Sequence, residues 1–93
     1  MGLNEIKEQI VPVLKEAGIT RSSIFGSVAR GEADSESDLD LLVEFPKGKS
    51  LFDLVDLKEK LEGVISKKVD IVTYKAVHPL LRDVINREQV QII

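Results

Sequence analysis

The segment Asp38-Leu39-Asp40-Leu41-Leu42-Val43-Glu44-Phe45, closed by Pro46, constrains this chain more than any other. Its alternation reads as a β-strand, because successive side chains leave a strand on opposite faces. Proline ends it, having no N–H to give to a sheet ladder. Leu39, Leu41, Val43 and Phe45 then share one face, and Asp38, Asp40 and Leu42 the other. A strand with one apolar face has to pack that face against a second layer. The same element carries two carboxylates on its opposite face, ~6.6–6.8 Å apart along the strand.

The remaining pattern supplies the second layer. Leu3, Ile6, Ile10, Val13, Leu14 and Ala17 recur at helical spacing, and Gly18 closes that segment as a cap. Pro12 lies inside it and predicts a kink or a break into two pieces. Arg21 to Phe25 is a short strand that runs into Gly26-Ser27. Residues 27–30 make a brief helix stopped by Gly31, and residues 32–37 form a polar loop.

Lys47-Gly48-Lys49 is a turn. Ser50 caps a further helix with Asp53 three residues on. Leu51, Leu54, Val55, Leu57 and Leu61 form its buried stripe, and Gly63 ends it. Lys68 to Tyr74 is a third strand, with Val69, Ile71 and Thr73 opposite Asp70, Val72 and Tyr74. Pro79 opens a last helix, where its missing donor costs nothing. Leu80, Leu81, Val84 and Ile85 give that helix its apolar side, and Val90 to Ile93 is a final edge strand. The order α-β-(short α)-β-α-β-α-β predicts an α/β fold, a small mixed sheet with helices packed on it, and residues 1–93 read as a single domain.

Thirteen basic against sixteen acidic residues give a net charge of −3. That disfavours direct nucleic-acid binding, which draws on a basic excess to displace counterions. It is compatible with a triphosphate substrate whose charge is met locally by metal. The absence of cysteine removes disulfides and thiolate metal sites and points to a reducing compartment. The first residues carry charges where a secretory leader has an apolar core, and no apolar run approaches the ~20 residues of a membrane helix. A soluble cytoplasmic protein that does not engage a membrane is the expectation.

Three groups of residues carry candidate chemistry. Asp38 and Asp40 leave one strand face together and can tilt to hold metals ~3.5–4 Å apart, the spacing of two-metal phosphoryl transfer. Hard oxygen donors of this kind suit Mg²⁺ or Mn²⁺. Taken alone, the pair is more often the wet face of an amphipathic strand. Asp70 stands in Val69-Asp70-Ile71-Val72, an apolar strand setting that aspartate ordinarily avoids. On a neighbouring strand it would complete a triad whose mutual repulsion a divalent cation relieves. Gly26-Ser27, a strand end running into a helix start, offers backbone N–H groups and a hydroxyl to phosphate. By itself it is also a plain turn.

The joint spacing decides among these readings. Gly26-Ser27, ten residues, then Asp38-Leu39-Asp40, with Asp70 on a later strand, resembles the nucleotidyltransferase superfamily of DNA polymerase β. Phe25-Gly26-Ser27-Val28-Ala29-Arg30-Gly31-Glu32-Ala33 and Ser37-Asp38-Leu39-Asp40-Leu41-Leu42-Val43 are similar to its small branch, the minimal nucleotidyltransferases. So are Val69-Asp70-Ile71-Val72-Thr73, Lys75-Ala76-Val77-His78-Pro79, and Leu81-Arg82-Asp83 through Arg87-Glu88.

The resemblance implies a palm-like fold in which Gly26 and Ser27 hold the triphosphate of ATP or another nucleoside triphosphate. Asp38, Asp40 and Asp70 would bind two Mg²⁺ ions, with Mn²⁺ as a substitute, and Arg30 would touch phosphate or form a surface ion pair. It implies attack of a hydroxyl on the α-phosphorus with pyrophosphate leaving. It also implies a partner, a helical HEPN-domain toxin whose tyrosine receives AMP, so that this chain acts as the antitoxin. A second chain, or a second copy in a homodimer, would complete the pocket.

Relatives often carry a basic residue between the positions of Ala33 and Asp38, whereas this chain has Asp34-Ser35-Glu36-Ser37. Lys47, Lys49, Lys67, Lys68, Lys75 and Arg82 read as solvated surface cations. His78 reads as structural at a helix start, and Tyr74 as packing at the edge of the core. The rival reading is an antitoxin that neutralises its partner by occlusion without catalysis. A calcium loop at Asp34-x-Glu36-x-Asp38 is excluded by Leu39 and Phe45 at the positions that need glycine and glutamate. A P-loop is excluded by the lack of its Gly-Lys-Ser/Thr element.

Overall fold

Ile6, Ile10 and Leu14 fall on one side of helix α1, Leu3–Glu16, and all three are fully buried. The structure, a computed structural model, describes residues 2–34 and 36–93. Met1 lies outside the described residues, as does Ser35, which belongs to the loop expected over 32–37. Helix α1 runs unbroken through Pro12, contrary to the expected kink or break. An interior proline costs a helix ~3 kcal/mol. Three fully buried aliphatic side chains return ~1.5–3 kcal/mol each, and Pro12 lies on the exposed side of the helix.

Strand β1 is Arg21–Phe25, followed without a gap by the short helix α2, Gly26–Arg30. Strand β2 is Leu39–Glu44, one residue shorter at each end than the alternation predicts. Helix α3 spans Leu51–Ile65, with Asp53 accepting the backbone N–H of Ser50 at 2.8 Å across its first turn. It passes Gly63 and stops at Ser66, which takes the left-handed conformation at φ 56°. Glycine costs a helix interior only about 1 kcal/mol, less than the burial of Ile65 one half-turn later returns.

Strand β3 is Val69–Thr73, followed by a 3₁₀ turn at Tyr74–Ala76 and helix α4, Pro79–Glu88. Pro79 sits in its first turn, and the His78 imidazole Nδ1 accepts the Leu80 N–H at 3.1 Å. His78 is therefore a helix cap, as expected. Strand β4 is Val90–Gln91.

The sheet order is β3-β2-β1-β4. β2 and β3 run parallel through the α3 crossover, while β1 pairs antiparallel with both β2 and β4. Ile24, Leu39, Leu41, Val43 and Val69 pack from one sheet face against α1 and against Leu57, Leu61 and Ile65 of α3. By register, Phe25, Asp40, Leu42, Asp70 and Val72 occupy the opposite face.

Two expected apolar faces are not buried. Leu51 is 73% exposed and Val55 also lies open, so the stripe of α3 narrows to Leu57, Leu61 and Ile65, with Leu54 half-buried. Leu80 is 83% exposed, Leu81 and Val84 are exposed, and α4 buries none of its residues. Among the described residues, no helix is long and apolar enough to cross a membrane.

Candidate active site

One row of the sheet assembles the site. Phe25 on β1 is opposite Asp40 on β2, and Asp40 is opposite Asp70 on β3. The chain leaves that row at Phe25 and turns through Gly26 into α2. Gly26 has φ +75°, and a Cβ there would stand 3.1 Å from Asp40 Cγ and collide with the carboxylate. Glycine is thus required twice, for the left-handed backbone and for the close approach of Asp40. The Gly26-Ser27 corner and the Asp40 carboxylate touch, on the face that also bears Asp70.

Asp38 precedes β2 by one residue. The next residue, Leu39, continues the parallel ladder by giving its N–H to the Lys68 carbonyl at 2.9 Å. Asp38 and Asp70 line a common cleft of about 590 Å³ with Lys58, Glu62, Lys67 and Lys68. Asp40 and Asp70 line a second, of about 510 Å³, with Phe25, Leu54, Val55 and Lys58. Both volumes suit a small-molecule site. Exposed Asp70 and Lys58 line both of them.

Burial raises the Asp40 pKa above the ordinary aspartate range, and the nearby charges of Asp70 and Asp38 raise it further. The Arg30 guanidinium pulls in the opposite direction. Asp40 therefore feels both other carboxylates through space.

Arg30 itself is held by Glu32 and by Glu88 of α4, each at 3.0 Å, as the surface ion pair that its sequence position allowed. Among the other cations, Lys67 and Lys68 reach the Asp38–Asp70 cleft. Lys47 and Lys75 lie instead beside Glu44 and Tyr74, in a small cavity apart from the three carboxylates. Tyr74 pairs its hydroxyl with that of buried Ser23 at 2.9 Å and lies under the Arg21 guanidinium, 4.1 Å from the ring centroid. Lys58, Glu62 and Lys67 are site-lining groups that the sequence reading either passed over or counted as surface charge. Their approach to Asp38 and Asp70 depends on the α3 crossover, and no local pattern encodes it.

The sequence profile of the nucleotidyltransferase domain matches residues 7–91. The chain belongs to the nucleotidyltransferase domain family. A Methanocaldococcus jannaschii protein with the provisional name protein adenylyltransferase is 54% identical over 93 residues, the full length of both chains. The protein adenylyltransferase MntA of Thermococcus cleftensis is 33% identical, covering 97% of this chain and 95% of its own. A solved structure provisionally described as a minimal nucleotidyltransferase superposes with a TM-score of 0.83 at 42% identity, over 97% of this chain and 95% of that one. The fold is also shared with a chain of a complex between a tri-AMPylated Shewanella oneidensis HEPN toxin and its MNT antitoxin. There the TM-score is 0.74 at 17% identity, over 97% of this chain and 71% of that one.

This nucleotidyltransferase has donors that fit the divalent metal its family generally uses. They are hard carboxylate oxygens, those of Asp40 and Asp70 on one sheet face, with the Asp40 pKa raised by burial and then by the neighbouring charges, a repulsion that a dication relieves. Among the described residues no three acidic or histidine side chains already converge on one point. The backbones of Asp40 and Asp70 are register neighbours on adjacent strands, which puts their two carboxylates within reach of one shared ion.

Proposed function

We propose that this chain moves AMP from ATP to a tyrosine hydroxyl of a HEPN-type toxin and thereby serves as that toxin's antitoxin. The contact of the Gly26-Ser27 corner with Asp40, in one row with Asp70, carries this reading. A turn that offers backbone N–H groups against an acidic pair is what a metal-bound triphosphate would need, and the closeness of Gly26 to Asp40 supports that role. The adenylyltransferase relatives and the toxin-bound fold neighbour support the choice of donor and acceptor. Phe52, 86% exposed, and Leu80 add exposed apolar surface of the kind that protein partners cover.

In this reading Asp38, Asp40 and Asp70 would hold two Mg²⁺ ions, and Gly26 and Ser27 would receive the triphosphate through backbone N–H groups and the hydroxyl. Arg30, once released from Glu88, neutralises phosphate. Bound metal supplies charge neutralisation at the phosphates and acidifies the acceptor hydroxyl. The acceptor oxygen bonds to the α-phosphorus, the bond to pyrophosphate breaks, and the hydroxyl proton leaves to solvent. The three aspartates orient donor and acceptor in line, the main contribution a protein makes to such transfer. The helical partner completes the pocket that a chain of this size leaves open.

The test uses α-labelled ATP, Mg²⁺, this chain and its HEPN partner, beside an Asp38→Asn/Asp40→Asn variant. Label and a matching mass gain on the partner with wild type only are expected. An unlabelled partner of unchanged mass would refute the transfer. A double variant that still neutralises the toxin in full would favour occlusion.

A further inference from the structure

We infer that Lys67 is a positioning residue that fixes Asp38 relative to Asp70, an inference that rests on the metal-binding reading of those two aspartates. Lys67 lies in the short connection between α3 and β3, and its half-buried side chain crosses to the segment that leads into β2. The Nζ ammonium donates to the Asp34 carbonyl at 2.9 Å and to the Ser37 carbonyl at 2.7 Å. Both acceptors are backbone carbonyls, and the bond to Ser37 is partly buried, so the contact holds the chain itself and is not a side-chain ion pair of the interchangeable surface kind.

The two flanks of Asp38 are both held from this connection. Ser37, before it, is held by Lys67 Nζ; Leu39, after it, gives its N–H to the Lys68 carbonyl at 2.9 Å. The connection is anchored in turn. Ser66 takes φ 56° and donates its N–H to the Glu62 carbonyl, and the Glu62 carboxylate accepts the Val69 N–H at 2.9 Å. Asp70 follows two residues after Lys68, on β3. The path from the end of α3 to Asp70 is therefore also the path that grips Asp38.

The leading segment closes on itself, with the Asp34 carboxylate accepting the Glu36 N–H at 2.9 Å and the Ser37 hydroxyl at 3.1 Å. The Lys67 ammonium ties that closed unit to the sheet. Removing it leaves the β2–β3 ladder and the apolar core in place, while Asp38 loses one of its two anchors.

The experiment measures Mn²⁺ binding to the full chain by electron paramagnetic resonance, together with the Mg²⁺ dependence of transfer, for wild type, Lys67→Met and Lys67→Arg. Outer groups that orient metal ligands typically govern metal affinity by 10–100-fold. Lys67→Met is expected to bind Mn²⁺ about tenfold more weakly or worse and to need correspondingly more Mg²⁺. Its Tm should change little, since the β2–β3 ladder and the core do not depend on the ammonium. Lys67→Arg, which can still donate to both carbonyls, should recover most of the affinity. Lys67→Gln, neutral but still a donor, replaces Lys67→Met if that variant does not fold, with a smaller loss expected. Wild-type Mn²⁺ affinity in Lys67→Met overturns the inference alone. Wild-type protein that binds no Mn²⁺, or Asp70→Asn that binds it normally, overturns both this inference and the metal site beneath it.

Discussion

Asp40 and Asp70 face each other in register across the parallel pair β2–β3, on the face of the sheet away from the main core. Adjacent strands lie ~4.7–4.9 Å apart, so two carboxylates in this relation repel, and Asp40 is half-buried besides. The metal-free protein thus carries an electrostatic penalty at its site. Asp40→Asn should raise the Tm in EDTA by a few degrees, given the ~4–8 °C that each kcal/mol moves a domain of this size. The same change should lower AMP transfer roughly 10²–10³-fold, as loss of a group that stabilises transition-state charge does. Differential scanning fluorimetry and the labelled-transfer assay read the two. A lowered Tm would mean that Asp40 is held by favourable contacts and not by geometry imposed on it.

The same penalty has a pH signature. The folded protein binds the Asp40 proton more tightly than the unfolded chain does, since its pKa is raised by burial and then by Asp70 and Asp38. Stability is therefore withdrawn as pH rises from the ordinary carboxyl value of about 3.9 through the folded value, and the withdrawal is complete above it. Asp34 and Asp53 act with the opposite sign. Backbone N–H bonds, from Glu36 and Ser50 respectively, lower their pKa values, so what they add is present above that value and disappears in acid. Comparing wild type with Asp40→Asn cancels those two. The Tm advantage of the variant should be present at pH 7 and shrink toward zero near pH 3. An advantage constant across that range would exclude the charge as its source.

Gly26→Ala addresses the phosphate corner. The backbone at φ +75° costs a residue with a Cβ ~1–2 kcal/mol, and the new atom also meets the Asp40 carboxylate. We expect a fall in Tm, together with loss of transfer as Asp40 is pushed aside. A double-mutant cycle separates the two costs, because in an Asp40→Ala background only the backbone term remains. If Gly26→Ala costs as much there as in wild type, the carboxylate does not occupy the space beside Gly26.

Much of this arrangement is legible in the sequence, because it rests on local periodicity. The alternation of Leu39 to Val43 fixes which face Asp40 takes, and the apolar surroundings of Asp70 mark it as unusual. The Gly26-Ser27 corner falls where the end of β1 predicts it. What stays hidden depends on partners distant in the chain. Leu80, Leu81 and Val84 have helical spacing, yet spacing does not say whether anything covers them, and here they are exposed. The grip of Lys67 on Ser37 joins residues thirty positions apart. Pro12 and Gly63 mislead for one reason: each is a local breaker whose cost is smaller than the burial on either side.

Gly63 gives that argument a direct check. It lies inside α3, is exposed, and a Cβ there would meet nothing within 4 Å. Gly63→Ala should therefore stabilise by about 0.5–1 kcal/mol, a rise in Tm of about 2–8 °C, with transfer unchanged. A neutral or destabilising outcome in thermal denaturation would show that α3 needs the flexibility of glycine near its end.

Metal removal connects the stability and activity predictions. A ligand that binds only the folded state stabilises it by mass action, ~2.7 kcal/mol at a hundred times its Kd. Mg²⁺ should accordingly raise the Tm of wild type, and EDTA should abolish transfer reversibly. In Asp40→Asn the penalty and the metal site disappear together. That variant should melt above wild type in EDTA, and its Tm should stay nearly flat as Mg²⁺ is added. The two titration curves should therefore cross. Parallel curves would mean that Mg²⁺ stabilises the protein elsewhere, and that Asp40 and Asp70 are acidic neighbours without a shared ion.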